Sequence, residues 1–254
     1  MATPLLSIQN VSYAYHTFQG ETSVLKNLSM ELYPGEFVAV VGPSGCGKST
    51  LLSLITGLIK PEEGEIKFAT KTGMETTKLG YMLQKDHLFE WRSVFDNALL
   101  GLEITGKLTE ENIDYVAEAF KEYGLWDFKD QKPSELSGGM RQRVALIRTL
   151  ALSPELLLLD EPFSALDYQT RLSVSADIGR IIRNSKKTVL LITHDLSEAI
   201  SLSDKVLVFS QRPANIKNEI PISLSIEGNH PLAARNAPEF NHYFNLLWEE
   251  LSNE

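Results

Sequence analysis

Gly42, Pro43, Ser44, Gly45, Cys46, Gly47, Lys48 and Ser49 constrain what this chain can fold into more tightly than any other stretch of it. They match the pattern G-x-x-x-x-G-K-[ST] and stand between an apolar run at 36–41, read as a strand, and a run of helical spacing through Leu58. The chemistry explains that order. The glycines let successive backbone N–H groups converge on one point, and the helix that follows adds the partial positive charge of its N-terminus. Lys48 supplies a full charge to β- and γ-phosphates, the Ser49 hydroxyl can ligate Mg²⁺, and Thr50 completes the binding set. A nucleoside triphosphate is the expected ligand, with ATP and Mg²⁺ as cofactors.

The remainder reads as one α/β domain built around that loop. With 254 residues, 43% of them hydrophobic, the chain can bury a sizeable core. Its 24 Lys and Arg against 33 Asp and Glu give a net charge of -9, which argues against a broad basic surface for nucleic acid. The N-terminus lacks the charged start and apolar run of a signal peptide. The longest aliphatic stretches, 51–59 and 155–160, fall short of the roughly 20 apolar residues that cross a bilayer. A soluble chain is expected, so any work at a membrane requires another subunit to provide the span. The single cysteine, Cys46, rules out an intrachain disulfide. Inside the glycine loop it is either a small residue tolerated there or a thiol poised for redox control.

Apolar runs and turn residues predict strands near 5–12, 24–32, 36–41, 64–69 and 78–83, the last two around a polar loop at 70–78. From Ser93 to Tyr123 the spacing turns helical. Val94, Ala98, Leu99 and Leu102 share one face, Ile113, Val116, Ala117 and Phe120 another, and Gly124 is the stop. Beyond Pro133 the expected order is helix 138–152, strand 155–160, helix 169–184, strand 188–192 and a short helix from Asp195. Strands alternating with helices imply a mostly parallel sheet covered on both faces. At the C-terminal end Phe240, Phe244, Leu247 and Leu251 lie on one helical face, suited to packing on the domain itself or to docking a partner or membrane surface.

A second acidic motif completes the phosphate chemistry. The run Leu156–Leu159 delivers Asp160 and Glu161 at its end, the Walker B arrangement beside a phosphate loop. Asp160 is expected to orient Mg²⁺, and Glu161, turned to another side, to polarise the attacking water.

Many phosphate-loop proteins share those two motifs; others narrow the family. Leu136-Ser137-Gly138-Gly139-Met140, followed by Arg-Gln-Arg, resembles the signature motif of ABC ATPases, although Met140 stands where Gln is usual. Gln84 resembles the Q-loop glutamine, Ser164–Asp167 the D-loop and His194 the switch histidine. Tyr15 is placed like the aromatic that stacks on adenine, with Tyr13 as the alternative. The resemblance covers about residues 5–210. It implies a P-loop NTPase core with a mostly parallel sheet, an N-terminal antiparallel β subdomain and an inserted helical subdomain. A single ABC ATPase domain is expected over 1–254, with core and β subdomain at about 1–84 and 136–254 and helices at about 85–135.

The resemblance also implies a mechanism. Catalysis falls to Glu161, His194, Lys48 and Gln84, and Mg²⁺ to Ser49, Gln84 and Asp160. Ser137, Gly138, Gly139 and Asp167 join the loop in binding nucleotide. In this family two subunits close head to tail over two ATP molecules, each phosphate loop facing the other's signature. Ser137 lies about 90 residues beyond Lys48, at the start of a separate helix, so it is expected to act on a second copy or a paralogue. Further partners are two transmembrane permease subunits and, indirectly, an extracytoplasmic solute-binding protein, which places the chain at the cytoplasmic face of the cell membrane. No nucleic acid is expected.

Residues 88–103, the segment Asp167–Arg171 and residues 209–216 resemble importers of the nitrate, sulfonate and taurine group, although Phe89-Glu90-Trp91 departs from the usual Leu-Pro-Trp. Trp91 and Phe95 also suit a helical-lobe core. The other class is a soluble ABC ATPase of DNA repair or translation. Repair members carry long coiled coils between phosphate loop and signature, and translation members two ATPase domains in one chain; this sequence shows neither. An end at Glu254 suggests no appended sensor domain.

Overall fold

The computed structural model describes residues 3–18, 20–69, 78–225 and 231–252; most of the polar loop read at 70–78 lies outside them. In chain order the first elements are β1 (Leu6–Thr17), β2 (Gly20–Leu32), β3 (Phe37–Val41), α1 (Lys48–Ile55), β4 (Glu63–Phe68) and β5 (Leu79–Met82). The helical insertion contributes α2 (Val94–Ile104) and α3 (Glu110–Glu122). Then follow α4 (Gly138–Leu150), β6 (Leu156–Asp160), α5 (Tyr168–Ser185), β7 (Thr188–Ile192), α6 (Leu196–Leu202), β8 (Lys205–Phe209), β9 (Ile216–Pro221), α7 (Pro231–Ala234) and α8 (Phe240–Ser252).

Two sheets result. One is antiparallel with order β2-β1-β4; the other runs β5-β6-β7-β3-β8-β9, parallel except for β9. The apolar composition of β3, β6 and β7 has a direct cause. Successive side chains leave a strand on opposite faces, and here both faces are covered. Leu157 and Leu159 enter a core shared with α2, α3, α4 and α5, while Leu156 and Leu158 pack toward α1 and the antiparallel sheet. None of the four is more than 1% exposed. Each contributes about 1.5–3 kcal/mol by leaving water, so a polar residue is tolerated only where the strand ends.

The helical insertion joins the first of these cores. Val94, Ala98, Leu102, Val116 and Phe120 are buried there, and Phe95 meets Phe120 edge-on at 5.1 Å between ring centroids. Trp91 departs from a core reading. It is 72% exposed and stacks on Phe89 at 4.5 Å. At the C-terminus α8 lies on the domain itself, with Phe240 and Leu247 buried and Phe244 and Leu251 packed against the same core.

The first two strands run much further than their apolar residues indicate. Ala14↔Ser23, Tyr15↔Thr22 and His16↔Glu21 continue the ladder through a segment whose outward residues are polar. A register shift past Ile8, where Asn10 takes a left-handed φ of 50°, lets β1 bend over β4. Conversely α1 ends at Ile55, three residues before Leu58, because Gly57 turns the chain at φ 73°. Strands β8 and β9 and the short α7 lie outside the elements read from the sequence.

The bend in β1 leaves no room opposite it. Gly64 has φ 79°, and a Cβ there would lie 2.3 Å from the Gln9 carbonyl oxygen and 2.4 Å from that of Asn10. Gly64→Ala therefore combines left-handed strain with a backbone clash and is expected to destabilise the protein by about 2 kcal/mol or more. Chemical denaturation measures this; an unchanged midpoint would contradict the close approach of β1 and β4.

Candidate active site

Five parallel strands end along one edge of the larger sheet, and each is followed by a group with chemistry to offer. In sheet order they lead to Gln84 after β5, Asp160 and Glu161 at β6, His194 after β7, the glycine loop after β3, and Arg212 after β8. Ligands of open α/β sheets bind at such carboxyl ends.

The glycine loop turns where only glycine fits. Gly47 has φ 125°, and a Cβ there would come within 2.7 Å of Val24 Cγ1. The buried Lys48 folds back over its own loop and donates from Nζ to the carbonyls of Gly42 at 2.8 Å and Pro43 at 2.9 Å. Cys46 is 2% exposed, with Sγ 4.0 Å from the same Nζ, so its thiol sits behind the loop. A cleft of about 210 Å³ opens here, lined by the loop between Ser44 and Thr50, by Glu161 and by Arg212.

Asp160 stands at the base of α1. Ser49 Oγ lies 3.4 Å from Asp160 Oδ1, and the Tyr81 hydroxyl donates to Oδ2 at 3.3 Å. Burial raises the Asp160 carboxyl above its ordinary range, while the bonds from Tyr81 and Ser49 hold it down. Burial and the adjacent Asp160 charge push the Tyr81 phenol up to about 12, so it stays a donor at neutral pH.

Glu161 breaks from the strand. Its φ of 44° is left-handed, unusual for a non-glycine residue, and its N–H still donates to the Ile192 carbonyl at 2.8 Å. The carboxylate lies 3.2 Å from His194 Nδ1 and accepts from Gln84 Nε2 at 3.4 Å. Gln84 also donates to Ser164 Oγ at 3.2 Å, which links the two loops. A half-exposed carboxylate held between a histidine and an amide, at the wall of a phosphate cleft, can orient a water and accept its proton. Near the other end of the loop the Tyr15 hydroxyl lies 3.4 Å from Thr50 Oγ1, its ring exposed and edge-on to Tyr13 at 5.1 Å.

The residues around Ser137 are placed differently. Ser137 caps α4, accepting from the Met140 N–H at 3.3 Å, and its side chain is exposed. A Cβ at Gly138 would meet Leu166 Cδ2 at 2.9 Å, and one at Gly139 would meet Val174 Cγ2 at 2.7 Å. Gly139 is thus packed tightly on α5, and Gly138 lies against the end of the Leu166 side chain in the loop before it. The Met140 side chain packs against the core, which explains why a residue other than glutamine is tolerated there. Asp167 caps α5 by accepting from Thr170 N–H at 3.1 Å, and hydrogen bonds from the Thr170 side chain first and its backbone second hold the carboxyl below the ordinary range. Neither Asp167 nor any residue from Ser137 to Gly139 lines the phosphate cleft of its own chain.

Comparison with known proteins supplies the family. Residues 25–164 match the family model described as ABC transporter. The chain is 40% identical to the taurine import ATP-binding protein TauB of Ruegeria pomeroyi, over 84% of this chain and 81% of that protein. It is 38% identical to the nitrate import ATP-binding protein NrtD of Synechocystis sp., over 94% and 91%. A solved dimeric ATP-binding cassette, MJ0796 in a post-hydrolysis state with ADP and Pi, superposes with a TM-score of 0.71 at 29% identity, covering 86% of this chain and 99% of that one. The chain belongs to the ABC transporter family. It is an ATP-binding subunit of that family and an ATPase.

Within this ABC cassette several residues escaped the motif reading. Tyr81 carries no pattern of its own, and Arg212 lies in the 209–216 stretch that pointed to a group of importers but to no role for the arginine. Arg171 Nη2 donates to the Leu166 carbonyl at 3.0 Å and its Nη1 lies 3.8 Å from Asp195, tying the D-loop to the turn after His194. Arg141 binds Asp86 at 3.0 Å, and Arg148 donates to the Asp86 and His87 carbonyls at 2.6 and 2.8 Å, tying the Q-loop to the signature helix. Only the position of Asp86, two residues beyond Gln84, could have hinted at this.

Glu198 is the buried partner in the histidine turn, accepting from Thr193 Oγ1 at 2.7 Å. Burial is the main cause that lifts its carboxyl from 4.5 to about 7. The folded chain therefore holds this proton more tightly than the unfolded one. The stability it confers is complete below pH 4.5 and is lost as pH rises through about 7. Glu198→Gln removes that slope, so the variant gains on the parent between pH 5 and 8 by roughly 1 kcal/mol or more. Urea unfolding at the two pH values measures it, and an equal difference at both would exclude Glu198 as the titrating group.

Proposed function

We propose that the chain is the motor of an ABC importer and powers uptake of a small solute of the nitrate, sulfonate and taurine class through separate membrane subunits. The observation that carries this reading is the convergence of Lys48, Asp160, Glu161, His194 and Gln84 on one sheet edge while Ser137 is exposed elsewhere. The names of the taurine and nitrate import relatives support the solute class. Among the described residues no helix is long and apolar enough to cross a membrane, in keeping with a span supplied by partners. Two permease subunits at the cytoplasmic face of the membrane, and a solute-binding protein beyond them, complete the proposed assembly. The helices at about 85–135 form the proposed subdomain, on a core of about 1–84 and 136–254.

Each proposed role follows from position. Lys48 and the loop N–H groups bind the β- and γ-phosphates, and Tyr15 stacks on the adenine. Glu161 orients and deprotonates water, with Gln84 and His194 fixing its carboxylate. His194 and Lys48 stabilise charge on the transferring phosphoryl group.

The Ser49 hydroxyl and Asp160 carboxylate, side by side, fit a hard cation that takes its remaining oxygens from phosphate and water, with Gln84 as a further ligand. Ser49 and Asp160 would hold Mg²⁺ there, and it would supply charge neutralisation to the bound phosphates. Among the described residues no group of three or more His, Cys, Asp or Glu could hold a metal by itself, which suits an ion shared with the nucleotide.

Ser137, Gly138, Gly139 and Asp167 complete the site of a second copy or a paralogue, so one chain is half of each enzyme. Two outcomes test the catalytic reading. Glu161→Gln binds ATP and accumulates as a dimer by size-exclusion chromatography, while phosphate release falls at least about 100-fold. Rapid turnover would remove Glu161 from the mechanism. A mixture of Ser137→Arg and Lys48→Ala chains assembles at most one working site per dimer; full parental activity would refute action in trans. For the transport reading, deletion of the gene abolishes uptake of one such solute. Normal uptake of nitrate and of sulfonates in the deletion strain would overturn that class.

A further inference from the structure

The motif set leaves unexplained the group that follows the fifth parallel strand. Arg212 sits in the six-residue loop between β8 and β9, and that loop is firmly built. Ser210 N–H donates to the Asn215 carbonyl at 3.0 Å, and Asn215 N–H to Ser210 Oγ at 3.1 Å. Ala214 is fully buried and tacked to β2, donating to the Val24 carbonyl at 2.8 Å and accepting from Lys26 N–H at 3.0 Å. Val24 is the same residue that abuts Gly47. One stretch of β2 therefore fixes both the glycine loop and the loop bearing Arg212.

From that base the Arg212 guanidinium donates from Nη2 to the Gly45 carbonyl and lines the phosphate cleft together with Lys48 and Glu161. A wider cavity of about 520 Å³ on the Pro43–Cys46 side of the loop is also bordered by Arg212. We propose that Arg212 is a phosphate-contacting residue, a second cation beside Lys48 that bonds the terminal phosphate of bound ATP. This rests on the reading of the cleft as the site of the nucleotide phosphates.

Three observations give the direction. Lys48 presents a single ammonium, and it is engaged with two loop carbonyls. Arg212 presents a planar fork of five N–H groups suited to two phosphate oxygens at once. The cleft runs from Thr50, beside Tyr15 at the adenosine end, to Ser44 and Gly45. Arg212 is bonded to Gly45, on the side away from Tyr15, while Glu161, the proposed base for attack on the terminal phosphate, lines the same cleft. The bond to Gly45 would by itself make Arg212 a brace for the loop, and a brace serves ATP and ADP equally.

Equilibrium binding of MgATP and MgADP to the full chain separates these roles. Arg212→Ala is expected to weaken ATP about 10-fold or more, the loss of a charge-assisted hydrogen bond, and ADP less than about 2-fold. Arg212→Gln, which keeps a donor for the Gly45 carbonyl but no charge, shows the same selective loss, and Arg212→Lys recovers part of it. Equal weakening of both nucleotides, or parental ATP affinity in the Gln variant, overturns the proposal. Lys48→Ala, run alongside, loses both nucleotides; unaltered binding there removes the cleft reading itself and the proposal with it.

Discussion

Everything at this site depends on a sheet whose central strands are buried on both faces. Strands β3, β6 and β7 have no interior position where a polar side chain could meet water, and an unpaired buried polar group costs several kcal/mol. Polarity is therefore expelled to the strand ends, where the sheet stops but the helices continue to shield it. The half-buried position of Asp160 follows from this. It is close enough to the core for burial to raise its carboxyl and close enough to the edge to meet Ser49 and Tyr81.

Parallel pairing turns that constraint into a working arrangement. Because five neighbouring strands run the same way, their carboxyl ends share one edge, and residues from 42 to 212 meet there. Glu161 shows the local cost. It adopts a left-handed backbone so that its carboxylate turns toward Gln84 and His194 rather than continuing the alternation of β6.

Arginines then connect this edge to more distant elements. Arg141 and Arg148 fasten the segment after Gln84 to the signature helix, and Arg171 fastens the loop before α5 to the turn after His194. These pairs are half-buried, and several use backbone carbonyls, so their geometry is better defined than that of surface ion pairs. These bonds join α4 to the segment two residues beyond Gln84, the amide beside the proposed base.

The sequence alone determined the glycine loop, the Asp160–Glu161 pair, the signature and the α/β class. In each of these, local chemistry requires particular residue types at a set spacing. Gly47 must be glycine where the backbone turns at φ 125°, and Leu156–Leu159 must be apolar where both faces are covered. The long β1–β2 hairpin, strand β8 and the exposure of Trp91 were not legible, because they depend on cross-strand pairing and on what packs nearby rather than on a pattern within the segment. Only the tertiary structure decided that Arg212 reaches the phosphate cleft, that Glu198 is buried beside Thr193, and that the signature lies outside the cleft of its own chain. Those facts arise from strand order and helix packing, which bring together residues far apart in the chain with no spacing rule to announce them.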